Sequence, residues 1–253
     1  MITDTHAHVF WDSFDTDREE VLARARAAGV ERMLIVGTDL QTSQACFDLC
    51  RGRTGLYPSA GIHPHDSAAV TAGVRAAIEQ LCGQPECVAV GETGLDYFKE
   101  YSPREAQRTS FRWHLELARE LDKPVIVHCR DAHPDAAELI AEFPGVRGVM
   151  HCYTMGTSEL PAYLDAGMYI SFSGVVTFPG NEANREAAAA VPVERLLVET
   201  DCPFLAPEGQ RGRRNEPAWV TGVLRKVAEV RGVDFEDLAT ITSLNAAELF
   251  RLG

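Results

Sequence analysis

Short apolar, β-branched runs alternate along this chain with stretches whose apolar positions recur every three to four residues. The apolar runs fall at residues 2–9, 32–37, 56–62, 87–92, 124–129, 146–152, 168–173 and 195–200. Each has the length and β-branched content of a strand. The amphipathic stretches fall at 16–28, 40–51, 67–81, 103–121, 134–143, 157–165, 182–190 and 217–230, with one more at 235–250. Their spacing predicts helices. Strict strand–helix alternation predicts a parallel sheet. Eight such units in 253 residues favour closure into a single (β/α)₈ TIM barrel over an open doubly wound sheet. Gly29 and Gly167 stand where helix C-terminal glycines are expected. No linker or low-complexity tract divides the chain, so one domain is expected over residues 1–253.

An open sheet binding a dinucleotide would need a G-x-G-x-x-G turn after its first strand. The first strand ends instead in His6-Ala7-His8. Strand side chains alternate between faces, so Asp4, His6 and His8 share one face. A lone His-x-His is a weak signal, and two ordinary core or surface histidines would explain it. The other strand ends change that balance. The fourth strand ends in Val90-Gly91-Glu92-Thr93-Gly94-Leu95-Asp96, the fifth in Val127-His128-Cys129-Arg130, the sixth in Met150-His151-Cys152-Tyr153 and the eighth in Glu199-Thr200-Asp201-Cys202-Pro203. Five of eight predicted strands therefore end in potential metal ligands, where barrel enzymes build their sites, at the C-terminal ends of the strands.

Four imidazoles and two carboxylates exceed what one tetrahedral catalytic ion takes from a protein. Two divalent cations fit better, with one carboxylate bridging. Glu92 is the natural bridge, His6, His8 and Asp201 belong to one ion, and His128 and His151 to the other. Mg²⁺, Mn²⁺ and Zn²⁺ all suit such a mixed set. Cys129, Cys152 and Cys202 each follow a ligand and should turn outward as small buried groups. Glu199 and Asp4 lie one pleat deeper, where they orient ligands by hydrogen bonds, touch a metal directly, or serve as buried structural carboxylates.

Composition adds limits. The hydrophobic fraction is 45% and the formal net charge −13, which argues against a surface built for broad nucleic-acid binding. A local site can still take a phosphate. Arg211, Arg213 and Arg214 form a basic island after the eighth strand, and arginine forks suit phosphate oxygens. A solvated basic loop is the plain alternative. His63 in Gly61-Ile62-His63-Pro64-His65, and Arg130, two residues past His128, are further phosphate candidates. Phosphate contacts are thus expected at His63, Arg130, Arg211 and Arg214. Tyr97 and Tyr153 can stack on a base, although ordinary packing accounts for both. Seven cysteines without zinc-ribbon spacing are expected as free thiols. No run reaches the ~20 apolar residues of a membrane span, and no signal peptide is read at the start, so a cytoplasmic location with no membrane partner is expected.

Taken together, these segments resemble the TatD family of metal-dependent deoxyribonucleases, within the amidohydrolase superfamily. The resemblance rests on Asp4-Thr5-His6-Ala7-His8, Gly61-Ile62-His63-Pro64, Gly91-Glu92-Thr93-Gly94-Leu95-Asp96-Tyr97, Pro124 through Arg130, His151-Cys152-Tyr153, Glu199-Thr200-Asp201-Cys202-Pro203 and Arg211 through Pro217. It runs over essentially the whole chain. Tyr153 stands where phenylalanine is common in the family. The resemblance implies a (β/α)₈ barrel, a divalent-metal site on His6, His8, Glu92, His128, His151 and Asp201, and hydrolysis of DNA, with DNA repair or fragment clearance as its setting.

The expected activity is 3′–5′ exonucleolytic cleavage of single-stranded DNA, with Asp201 and Glu92 as catalytic residues. The same ligand set serves an amidohydrolase acting on an amide, a lactone or a nucleobase-like small molecule. A neutral substrate of that kind has no need of the arginine island. A non-catalytic scaffold is disfavoured by the intact ligand set. Oligomeric state is not read from the sequence.

Overall fold

In the computed structural model, which describes residues 1–253, every apolar run forms a strand. They are β1 (Ile2–Ala7), β2 (Val30–Val36), β3 (Leu56–Ala60), β4 (Ala89–Asp96), β5 (Val125–Arg130), β6 (Gly148–Met150), β7 (Met168–Phe172) and β8 (Leu196–Val198). The helices are α1 (Arg18–Ala27), α2 (Leu40–Cys50), α3 (Ala72–Cys82), α4 (Arg104–Leu121), α5 (His133–Ala141), α6 (Leu160–Asp165), α7 (Glu182–Ala190), α8 (Val220–Arg231) and α9 (Phe235–Phe250). The strands make one eight-stranded sheet in chain order, β1 through β8. The sheet closes where β8 meets β1: Asp201 N–H donates to His6 O and His8 N–H to Cys202 O, both at 2.9 Å. This is the (β/α)₈ barrel expected from the alternation.

Element ends differ from expectation for local reasons. β6 and β8 are short because the chain turns sharply just past them, with Cys152 and Asp201 in left-handed conformations at φ 44° and 57°. β4 is long, continuing past Glu92 to Asp96. Its glycines allow this: a Cβ at Gly94 would sit 2.0 Å from the His128 carbonyl oxygen. α3 and α8 start late because Pro64 and Pro217 open 3₁₀ turns ahead of them. Gly29 and Gly167 do follow their helices with φ of 83°.

The chain divides into two compact units, one of Met1–Ile35, Cys152–Pro161 and Tyr169–Gly253, the other of Val36–His151 and Ala162–Met168. In the first, β7 and β8 pair in register Ile170↔Leu196. Buried Thr5 on β1 donates to Val198 O at 3.1 Å and lies 3.2 Å from Ser171 Oγ. The extra helix α9 secures the start of β1 and β8: Ser243 Oγ donates to Met1 O, and Asn245 Nδ2 to Val193 O and Leu196 O. Its N-terminus is capped by Asp234, which accepts from Glu236 N and Asp237 N.

In the second unit, β3 through β6 run parallel, with Ser59↔Ala89, Gly94↔His128 and Ile126↔Val149 in register. α4 lays a buried face on β4 that includes Phe111, Trp113, Leu115 and Leu117. His114 on that face is a satisfied core histidine. Its Nε2 accepts from Ile62 N at 3.0 Å, so Nδ1 carries the proton and donates to Ser110 O at 2.7 Å. No helix is long and apolar enough to cross a membrane.

Candidate metal centre

In the first unit, β1 and the end of β8 bring His6, His8 and Asp201 together. His6 Nε2 and His8 Nε2 are 3.2 Å apart. Asp201 Oδ1 lies 3.4 Å from His8 Nε2 and 3.8 Å from His6 Nε2. His6 and His8 are buried, whereas the Asp201 side chain keeps 14% of its surface exposed. The left-handed turn at Asp201 swings its carboxylate beside the two rings, a conformation that aspartate tolerates better than most residues.

Two deeper carboxylates brace this group. Asp4 is fully buried, accepting from Thr200 N at 2.9 Å, Thr200 Oγ1 at 2.6 Å and His6 N at 3.3 Å. Burial pushes its carboxyl up to about 7, against those three hydrogen bonds. Glu199 is also buried, and its Oε1 accepts from the backbone of Cys152, the residue after His151, at 2.6 Å. Asp4 thus fixes β8 against β1, and Glu199 fixes the turn at the end of β6.

The second unit gathers its donors around one oxygen. Glu92 Oε1 lies 3.1 Å from His151 Nε2, 3.2 Å from His128 Nδ1 and 3.5 Å from His63 Nε2. His151 Nε2 and His128 Nδ1 are 3.4 Å apart. Burial drives the His63 imidazole well below its ordinary pKa, although Glu92 pulls the other way. For His128 burial also acts downward, but its hydrogen bonds to Asp96 and Glu92 prevail and the ring is raised.

Both groups have the dimensions of a cation's coordination shell. Bonds of about 2.1 Å to a tetrahedral ion separate its ligand atoms by about 3.4 Å. The His6–His8–Asp201 triangle has edges of 3.2, 3.4 and 3.8 Å. The Glu92–His128–His151 triangle has edges of 3.1, 3.2 and 3.4 Å. Ring nitrogens and carboxylate oxygens converge at these distances, as the donor atoms of one cation do. The donor sets therefore fit divalent metal, and His63, Glu92 and His128 form a further potential grouping of the same kind.

Asp96 was not singled out in the sequence, although it shares the alternation of Glu92. Its Oδ2 lies 2.9 Å from His65 Nε2 and 3.3 Å from His128 Nε2, while Oδ1 accepts the N–H groups of Phe98 and Lys99. Against the upward pull of burial, these bonds hold its carboxyl well below the usual range. Asn215 is a further residue of the site whose role the local pattern does not reveal. It is fully buried, donating to Thr200 O and Phe204 O at 2.9 and 2.6 Å and accepting from Glu216 N. It ties the arginine loop to the end of β8.

The phosphate candidates divide. His63 sits at the Glu92 cluster. Arg130 is exposed and lies over the Phe98 ring at 3.9 Å. Arg211 is exposed, over the Phe178 ring at 4.0 Å. Arg214 is engaged elsewhere: it pairs with Asp17 at 2.6 Å, bonds the Ser13 carbonyl and covers Phe14. Its guanidinium anchors the loop to the segment before α1. Arg24 completes this anchor with a bidentate grip on Glu216. Tyr97 and Tyr153 serve packing, their hydroxyls donating to Asp135 and to Gly156 O. All seven cysteines are free; the Cys129 sulfur faces the Tyr163 hydroxyl, the Cys152 sulfur faces Ser173, and Cys202 is fully buried.

Known proteins share this geometry's setting. A family model described as TatD related DNase matches residues 3–251. The chain is 40% identical over 255 residues, the full length of both chains, to the uncharacterized metal-dependent hydrolase YabD of Bacillus subtilis strain 168. It is 40% identical over 249 residues, 95% of each chain, to the 3′-5′ ssDNA/RNA exonuclease TatD of Escherichia fergusonii. Among solved structures, the TatD homologue YjjV of Escherichia coli K12 superposes with a TM-score of 0.94 at 28% identity, covering 100% of this chain and 98% of that one.

Proposed function

This chain belongs to the TatD related DNase family of metal-dependent hydrolases, and on that premise we propose that it trims single-stranded DNA from the 3′ end. The observation that carries the reading is the pair of donor triangles, each with the edge lengths of a divalent cation's shell. In this reading residues 1–253 act as one catalytic domain. His6, His8 and Asp201 hold one ion and Glu92, His128 and His151 the other. Glu92 Oε1 is turned to its imidazoles, and in this reading its carboxylate would help hold the metal. Such a pair, Mg²⁺, Mn²⁺ or Zn²⁺, supplies Lewis acidity to a phosphoryl group and an activated water.

The chain's own residues do the rest. Asp201, the one carboxylate of its triangle and its most exposed member, accepts the proton of the attacking water. Its left-handed turn and the brace of Asp4 on Thr200 keep it aimed at that water. His63 contributes a hydrogen bond to the phosphoryl group, and Arg130 and Arg211 supply exposed positive charge to flanking phosphates. Arg214 acts one step removed, by holding the Arg211 loop. Free cysteines fit a reducing compartment, and the reading places the enzyme in the cytoplasm, on DNA ends such as repair or fragment clearance produces. A similar exonuclease takes both ssDNA and RNA, so RNA is a second substrate to assay.

Hydrolysis of an amide or lactone at the same donors is the second reading; it needs no arginine contact, and the pairing of Arg214 with Asp17 is compatible with it. One experiment separates them. The metal-loaded protein is offered 5′-labelled linear single strands, the same strand circularised, and a panel of lactones and amides. A ladder shortening from the 3′ end, with the circle intact, is the expected result. Cutting of the circle refutes the exonuclease reading, and turnover of the small substrates alone supports the second.

A further inference from the structure

The chain following β4 exposes two large aromatic rings in an otherwise acidic protein. Phe98 is 56% and Tyr101 67% exposed. Exposed aromatic rings forgo burial, and their surroundings suggest what repays it. Arg130 lies over the Phe98 ring at 3.9 Å. The Lys99 ammonium is 5.6 Å from the Phe98 ring and 5.9 Å from that of Tyr101. The His65 ring packs edge-on against Tyr101 at 4.7 Å. The acidic neighbour Glu100 is paired with Arg104. Rings flanked by cations in this way are the surface that single-stranded nucleic acid uses, with bases on π-faces and phosphates on the charges.

The segment is also held rigid. Asp96 Oδ1 accepts from Phe98 N at 3.0 Å and Lys99 N at 2.8 Å. Buried Gln107 brackets the same stretch, accepting from Asp96 N and donating to Asp96 O and Ser102 O. Ser102 Oγ donates to His65 O at 2.6 Å. The other oxygen of Asp96 faces His128 Nε2. One carboxylate thus braces the backbone that carries Phe98 and contacts a proposed metal ligand.

We propose that Phe98 and Tyr101, with Arg130 and Lys99, form a stacking platform for unpaired bases of the substrate strand, upstream of the phosphate being cut. The proposal rests on the nuclease reading and deepens it. Unpaired bases offer free faces to the rings, whereas the bases of a duplex are already stacked, so the platform selects single strands. It reads no sequence, because every base has a π-face.

The test uses the metal-loaded protein, a Phe98→Ala variant, a Phe98→Ala/Tyr101→Ala variant, and Leu244→Ala as a control at an exposed apolar position of α9. Binding of a fluorescein-labelled 12-residue oligothymidylate, capped with 3′ phosphorothioates, is followed by anisotropy. In parallel, kcat/KM is measured for an uncapped oligonucleotide of the same length and for bis(p-nitrophenyl) phosphate, which carries no bases. The platform predicts about tenfold weaker oligonucleotide binding for Phe98→Ala, a greater loss in the double variant, and no change for Leu244→Ala. The ratio of oligonucleotide to bis(p-nitrophenyl) phosphate kcat/KM should fall about as far as the binding. Wild-type binding in the double variant, or no binding by the wild type, overturns the platform. Binding that depends on Phe98 without any cleavage leaves the platform standing and refutes the nuclease reading instead.

Discussion

Asp96 Oδ2 lies 3.3 Å from His128 Nε2, while the other nitrogen of that ring, Nδ1, faces Glu92 Oε1 at 3.2 Å. A carboxylate on the outer nitrogen fixes the ring's tautomer and angle and makes the inner nitrogen a better donor to metal. Asp96→Ala should therefore weaken divalent-metal binding roughly 10- to 100-fold. Competition with a chromophoric chelator measures this directly. Unchanged affinity would reduce Asp96 to a loop anchor.

Asn215 serves the other unit. Its amide satisfies two carbonyls and one N–H in a fully buried position. Asn215→Ala leaves those groups without partners and should cost about 2–3 kcal/mol. Urea denaturation provides the number, with exposed Arg213→Ala expected to stay within about 0.5 kcal/mol of the parent.

Arg211 and Arg214 should separate by readout. Arg211→Ala should raise KM for an oligonucleotide several-fold with thermal stability unchanged. Arg214→Ala breaks the pair with Asp17 and should lower stability by about 1 kcal/mol. Differential scanning calorimetry beside steady-state kinetics distinguishes them. The reverse assignment would show that the Arg214 side chain leaves Asp17 to meet substrate.

His114 predicts an acid sensitivity of the fold. Burial, with a smaller contribution from Arg75, pushes its imidazole down to about 4, against the upward influence of its bond to Ser110. Its folded pKa lies below the unfolded value near 6.5, so between about pH 6.5 and 4 the unfolded chain takes up the proton first. Stability is full above that window and falls as pH drops through it, by roughly 3 kcal/mol in all. His114→Gln keeps an acceptor and a donor but cannot titrate. Urea midpoints measured from pH 7 to 4.5 should fall more steeply for the parent than for the variant, and parallel curves would contradict the assignment.

Much of this architecture was legible in the pattern of apolar positions. The runs around Ile35, Val127 and Ile170 each formed strands because two-sided burial leaves them almost continuously apolar. His6 and His8 share a face because strand alternation requires it, and the structure brings their Nε2 atoms to 3.2 Å. What the pattern does not carry depends on tertiary approach. The pattern shows Asp96 at the end of the fourth strand but not that its carboxylate reaches His128. β4 runs on because Gly94 admits the His128 backbone at a distance no side chain would permit. The local sequence around Arg214 does not show Asp17, nearly two hundred residues earlier, beside it. The same holds for Asn215, since its partners at Thr200 and Phe204 are set by how the loop folds back.

The most direct test of the two-cation account is a titration of metal-free protein with Mn²⁺, counting bound ions per chain while following hydrolysis of 5′-labelled single-stranded DNA. The account predicts two ions per chain and activity that rises with the second. It also predicts one ion and little activity in both His8→Ala and His151→Ala, each of which dismantles one triangle. Two ions retained in either variant, or full activity with a single ion bound, would contradict it.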